Sequence, residues 1–127
     1  EQEGLYCVGP EGIYWRYTEP SDNITSGAVI GDVDGRNGFE TVFGTESGRV
    51  IALDGSGQVV WILEAGGPVE CTPTLGDIDG DGLLELLVAS NDGMLRAYDT
   101  RGKGPALLGY HRDSTCPLAQ WPACPDK

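Results

Sequence analysis

Short apolar runs, each closed by Gly, Asp, Asn or Ser, follow one another along this chain. The first series occupies residues 26–32, 40–45, 49–54 and 58–64. A second series occupies 71–76, 85–90, 94–99 and 106–111. Runs of about 4–8 residues between turn residues predict β-strands. No window carries the 3.6-residue period with caps that a helix would need. The two series superpose without a gap at an offset of 45 residues. Glu40-Thr41-Val42-Phe43-Gly44 falls on Glu85-Leu86-Leu87-Val88-Ala89, and the turn Glu46-Ser47-Gly48 falls on Asn91-Asp92-Gly93. The amino-terminal stretch repeats only the last two runs: Leu5 to Val8, a turn at Gly9-Pro10-Glu11-Gly12, then Ile13 to Tyr17. Trp15 there matches Trp61 one unit later, and repeated aromatics on equivalent strands predict packing between adjacent sheets.

The pattern thus predicts an all-β chain of about two and a half four-stranded units: a half unit at 4–17, a unit at 26–64 and a unit at 71–111. Together these form a repeat domain over 1–112, followed by an irregular Pro- and Cys-rich tail at 113–127. Four-stranded repeats of about 40–45 residues have the length of β-propeller blades. A ring needs at least about four of them, so two and a half antiparallel sheets stack without closing. The broken first unit leaves a strand edge open to other chains.

Between the first two strands of each unit lies an acidic loop. In the unit at 71–111 it reads Asp77-Ile78-Asp79-Gly80-Asp81-Gly82-Leu83-Leu84-Glu85. Alternating carboxylates around a glycine turn are how a chain wraps a hard cation with oxygen. Asp77, Asp79 and Asp81 would offer carboxylates, Leu83 its carbonyl, and Glu85 would close a calcium shell. Asp-Gly pairs also form Asx turns, but four acids in nine residues repel one another unless neutralised. An EF-hand is excluded, because its twelfth position is Val88 here and the flanks are strands. The first loop keeps Asp32, Asp34 and Glu40 but has Arg36 at the fifth position. Two readings stay open there: a weaker ion site completed by the Gly38 carbonyl and water, or the Arg36 guanidinium in place of the ion.

On these residues the chain resembles the FG-GAP/VCBS calcium-binding propeller repeats, such as those of integrin α-subunits. The motifs are Asp77-Ile78-Asp79-Gly80-Asp81-Gly82 with Glu85, and the degenerate Asp32-Val33-Asp34-Gly35 with Glu40. The flanking Val50-Ile51-Ala52-Leu53-Asp54 and Val59-Val60-Trp61 also resemble blades of PQQ-type quinoprotein propellers. The resemblance implies calcium-bound blades and, in an integrin-like setting, recognition of a protein or glycan ligand in cell adhesion.

Net charge narrows the partners. At −12, the chain opposes nucleic acid and anionic membrane surfaces. No apolar stretch approaches the ~20 residues of a membrane span. Glu1 is not an initiator methionine and no leader precedes it, which reads as a mature or excised piece. Four cysteines in a small acidic chain predict disulfides and an oxidising, extracellular, cell-surface or periplasmic location. Of the three pairings, Cys116 with Cys124 and Cys7 with Cys71 is one expectation. A zinc site is disfavoured, since CxxC spacing is absent and His111 is the single histidine. Asn23-Ile24-Thr25 is a glycosylation sequon in the polar connector, and Trp121 in the tail would pin it or meet a partner.

GxSxG, HExxH, Walker and GxGxxG motifs are absent, so the expectation is not an enzyme. Three roles remain in view. One is a calcium-stiffened structural subunit that assembles into a filament, pilus-like fibre or surface array with copies of itself or a separate anchoring chain. Another is an adhesion or ligand-binding module. The third is a fragment of a quinoprotein-like propeller enzyme.

Overall fold

The computed structural model describes residues 4–18, 22–33, 38–78, 80, 84–100 and 106–111, with the side chains of 106 and 109–111 outside the description. Ten strands form among the described residues: β1 Gly4–Gly9, β2 Gly12–Thr18, β3 Val29–Gly31, β4 Glu40–Gly44, β5 Arg49–Leu53, β6 Val59–Glu64, β7 Thr74–Gly76, β8 Glu85–Ala89, β9 Leu95–Asp99 and β10 Ala106–His111. They build one two-stranded sheet, β1-β2, and two four-stranded sheets, β3-β4-β5-β6 and β7-β8-β9-β10, each an antiparallel meander in chain order. No helix long and apolar enough to cross a membrane occurs among these residues.

Two strands are shorter by three residues or more than the apolar pattern predicts. The run at 26–32 forms strand only over Val29–Gly31. Ser26 takes the Gly44 N–H on its own Oγ at 2.7 Å, so a side chain replaces the backbone acceptor there. In the third unit the strand starts at Thr74, after Pro73, which has no N–H for a ladder.

The tight turn of each four-stranded sheet is the same object twice. Thr45 N–H donates to the Arg49 carbonyl at 2.9 Å, and Ser90 N–H to Met94 at 3.1 Å. Gly48 and Gly93 take φ of +94° and +85°, a region that favours glycine. At Gly48 a side chain would also meet the Gly67 carbonyl at 2.9 Å.

A second recurrence was not legible in the pattern. In β1-β2 the register slips so that Cys7 pairs with Trp15 and Val8 with Ile13, leaving Tyr14 over. In β5-β6 the slip leaves Val60 over, and in β9-β10 it leaves Leu108. All three outer hairpins therefore carry a bulge at the same place, and the extra residue is exposed each time. The residue behind the bulge is Trp15, Trp61 and then Gly109.

The middle sheet is buried on both faces, as its runs Val42-Phe43 and Val50-Ile51-Ala52-Leu53 require. Phe43, Ile51 and Leu53 face β1-β2, where Leu5, Trp15, Tyr17 and Ile24 cover them. The Tyr17 and Phe43 rings lie 5.7 Å apart, tilted by 58°. Val42, Val50, Ala52, Trp61 and Leu63 face the third unit and meet Leu86, Val88 and Tyr98. Trp61 Nε1 is buried with no partner among the described residues, so the indole serves as packing bulk.

Cys7 and Cys71 are free thiols. The expected bridge between them does not form, because the middle sheet stands between the units that carry them. Cys116, Cys124 and Trp121 lie outside the described residues.

Candidate metal loops

Each acidic loop leaves the innermost strand at a glycine and re-enters the sheet at a glutamate. Gly31 pairs with Glu40 and Gly76 with Glu85. Both glutamates open a strand yet are buried, at 3% and 0% exposure. Each turns its carboxylate back into its own loop. Glu40 Oε1 accepts the Val33 N–H at 2.9 Å, and Glu85 Oε1 accepts the Ile78 N–H at 2.9 Å. The offset between the two clasps is again 45 residues. A buried backbone N–H must find an acceptor, and the glutamate supplies it, so Glu40 and Glu85 shape the loops whatever else they hold. Val33, the residue clasped, plugs the core between the second and third units.

At the start of the second loop, Asp77 Oδ1 accepts the Gly80 N–H at 2.8 Å, an Asx-type bend. Gly80 takes a φ of +78° to make it. Asp77 and Glu85 thus sit at the two ends of one bend, each with an oxygen engaged by the loop backbone. Asp79, Asp81 and Leu83, and in the first loop Asp34 and Arg36, lie outside the described residues. Among the described residues no group of three carboxylate, His or Cys side chains converges as a metal site. The described part contributes two carboxylates, Asp77 and Glu85, with one oxygen of each engaged by the loop backbone and Glu85 fixed in the sheet. Gly38, whose carbonyl stands as a candidate ligand, has a φ of +97°.

A different charged cluster, which the sequence reading did not single out, locks the first junction. Asp22, in the connector before the second unit, is 2% exposed at its side chain. It accepts from Ser47 N at 3.0 Å, Ser47 Oγ at 2.6 Å and Arg49 Nη2 at 3.1 Å. Burial alone pushes its carboxyl up, but these donors more than offset it and hold it well below the usual carboxylate range. The third unit solves the same turn from within. Asp92 accepts from Arg96 Nη2 at 2.7 Å, Ser90 Oγ at 2.6 Å and Met94 N at 3.1 Å. Arg96 foremost lowers its pKa to about 2. The Arg96 guanidinium also reaches the Ala65 carbonyl of the second unit. Asn23, the sequon asparagine, is exposed beside this cluster and donates to Glu46 Oε1 at 2.6 Å.

No protein-family model matches the chain, and no curated protein sequence matches it. Among solved structures it is similar to BamB from Moraxella catarrhalis, at 26% identity and a TM-score of 0.63 over 87% of this chain. The chain spans 30% of the length of that protein. The meander sheets and this likeness define a partial, propeller-like all-β fold, two blades and a half blade stacked without closing a ring.

Proposed function

We propose that the chain is a non-catalytic, calcium-stabilised structural subunit of an extracellular or cell-surface assembly, periplasm included. It works by covering its incomplete sheet with copies of itself or with a separate anchoring chain, as in a filament or pilus-like fibre. The observation that carries this reading is the contrast between the β1-β2 half blade and the two full blades. Tyr6, Val8, Ile13 and Tyr14 on the half blade are 42–68% exposed. Exposed apolar patches beside an open strand edge mark interaction surfaces. Calcium, held by Asp77, Asp79, Asp81, the Leu83 carbonyl and Glu85 in FG-GAP/VCBS fashion, would stiffen the loop between the inner strands. Light scattering and electron microscopy of the native protein, in calcium and in EDTA, test the proposal. Particles larger than one chain that loosen on chelation are expected; monomers in calcium would sink it.

One observation favours a second reading, a section of a larger propeller: the likeness to a solved chain of which this one spans 30%. Intact mass and terminal sequencing of the native protein separate the two. A native chain with the present termini rejects the larger-propeller reading.

A further inference from the structure

The face by which the second unit meets the third includes Val33, Val42, Val50 and Ala52, each at most 1% exposed. Their counterparts 45 residues on are Ile78, Leu87, Leu95 and Ala97. The third unit thus repeats the same apolar face on its far side, and register fixes that direction. Leu86 pairs with Tyr98, and both pack toward the second unit. Leu87 pairs with Ala97, and both point the opposite way, because successive residues of a strand alternate between faces. Leu95, two residues before Ala97, shares its face. Ile78 is set in place by the Glu85 clasp as Val33 is by Glu40.

This far face is apolar, yet it is not open. Ala97 is 0% exposed, and Ile78, Leu87 and Leu95 are partly buried. Ala97 belongs to neither apolar core, and the second unit packs on the other side of its sheet. At the opposite end of the stack the half blade turns its own far face outward, and there Tyr6 is 42% and Val8 68% exposed. Neighbouring side chains do not account for the difference. On the strand beside Ala97 stands Gly109, with no side chain to offer, where Ala52 has Trp61 and Cys7 has Trp15. The third unit therefore lacks the indole of the other two and has a notch beside Ala97. The turn after β9 does not fill it by repetition. Its counterpart after β5 leans toward the preceding unit, with a Cβ built on Gly57 only 2.9 Å from the Trp15 ring.

We propose that the tail at 113–127 folds back over the far face of the third unit and caps the stack, with the Trp121 indole in the notch that Gly109 leaves beside Ala97. Trp121 follows His111 by ten residues, and ten extended residues reach up to about 33 Å. His111 pairs with Leu95 and Gly109 with Ala97, so the return runs only about 7 Å along the strand. Leu118 brings a second apolar side chain to the same face. Pro117, Pro122 and Pro125 have no N–H to donate, which suits the segment to a sheet face rather than a strand edge. The repeat thus regains its third tryptophan from outside the repeat. The cap leaves the half blade's far face, with Tyr6 and Val8, as the open apolar end of the stack. It does not depend on the assembly reading, but it directs any assembly to that end.

Proton cross-relaxation in the NMR spectrum of the full chain tests the seat directly. The Ala97 methyl should show contacts to the Trp121 ring. Contacts of that methyl to residues 101–105 alone, or to a second copy in a mixture of labelled and unlabelled chains, overturn the proposal. Thermal melts supply an independent arm. Trp121→Ala should lower the melting temperature by about 5 °C or more, the shift that loss of a buried contact produces in a domain of this size. Gly109→Trp puts a tryptophan back at its place in the repeat. In the Trp121→Ala background it should recover most of that loss. In the wild-type chain, where the notch is filled, it should give no gain. An unchanged melting temperature in Trp121→Ala, or equal effects of Gly109→Trp in both backgrounds, overturns the seat.

Discussion

The two junctions of this molecule answer one packing problem with different side chains. Between the half blade and the second unit, the contact is apolar at its centre, with Phe43, Ile51 and Leu53 under Leu5, Trp15 and Tyr17. Its polar lock comes from outside the repeat, through Asp22 reaching Ser47 and Arg49. Between the second and third units, Arg96 stands where the repeat has Ile51 and ties its own Asp92 to the Ala65 carbonyl. At the inner end of the first junction Ile30 and Phe39 are exposed; at the second, Leu75 packs on the core against Gly31, while Leu84 is still 39% exposed. A repeat thus fixes where sheets meet, while single substitutions decide how polar each meeting is.

The largest test of this contrast is removal of its apolar centres. Phe43→Ala should cost about 3–5 kcal/mol, read as a shift in the urea midpoint, since it empties a fully buried site. Leu86→Ala, at the second junction, should cost about 2–5 kcal/mol. If either variant loses only one cooperative transition and keeps another, the junctions are separable and the stack is not one unit.

Next come the loops. Glu85→Ala removes the acceptor of the Ile78 N–H and should cost about 1–3 kcal/mol in EDTA, and more in calcium, where a proposed ligand is lost as well. Asp79→Ala should lower the melting temperature in calcium and have little effect in EDTA. Equal effects of Asp79→Ala in both conditions would argue against a bound ion and leave the clasp as the whole role of the loop.

The polar locks should appear in the pH dependence. Asp22 and Asp92 have folded-state pKa values depressed from 3.8, Asp92 to about 2. Their stabilisation is therefore present above about pH 4 and is lost as pH falls through the folded values. Asp22→Asn should cost about 1–2 kcal/mol at neutral pH, with the gap from wild type closing on acidification. Asp92, whose side chain is 26% exposed, should show a smaller gap because solvent screens it. Thermal melts from pH 7 to pH 2 measure both. A gap that stayed constant with pH would mean that the carboxylate charge contributes nothing.

Smallest of all is Ile30→Lys, which should change the stability of the isolated chain by no more than about 0.5 kcal/mol, because that residue is 68% exposed. A large loss would mean that the inner end of the first junction is already closed.

The sequence by itself determined the strand count, the meander, the 45-residue offset and the packing role of the two tryptophans. These depend on local alternation, on turn chemistry at Gly48 and Gly93, and on repetition, all of which are written along the chain. It also placed Glu40 and Glu85 at their loops, but as ion ligands; that each holds a backbone N–H appears only when the loop folds back on its strand. The shared bulge, the close approach of Leu75 to Gly31, and the capture of Ser47 and Arg49 by Asp22 were decided by tertiary structure. Each joins residues that no local period relates: a register slip depends on two strands at once, and a close approach depends on two sheets. The free Cys7 and Cys71 follow the same rule, since an even count of cysteines says nothing about which unit stands between them.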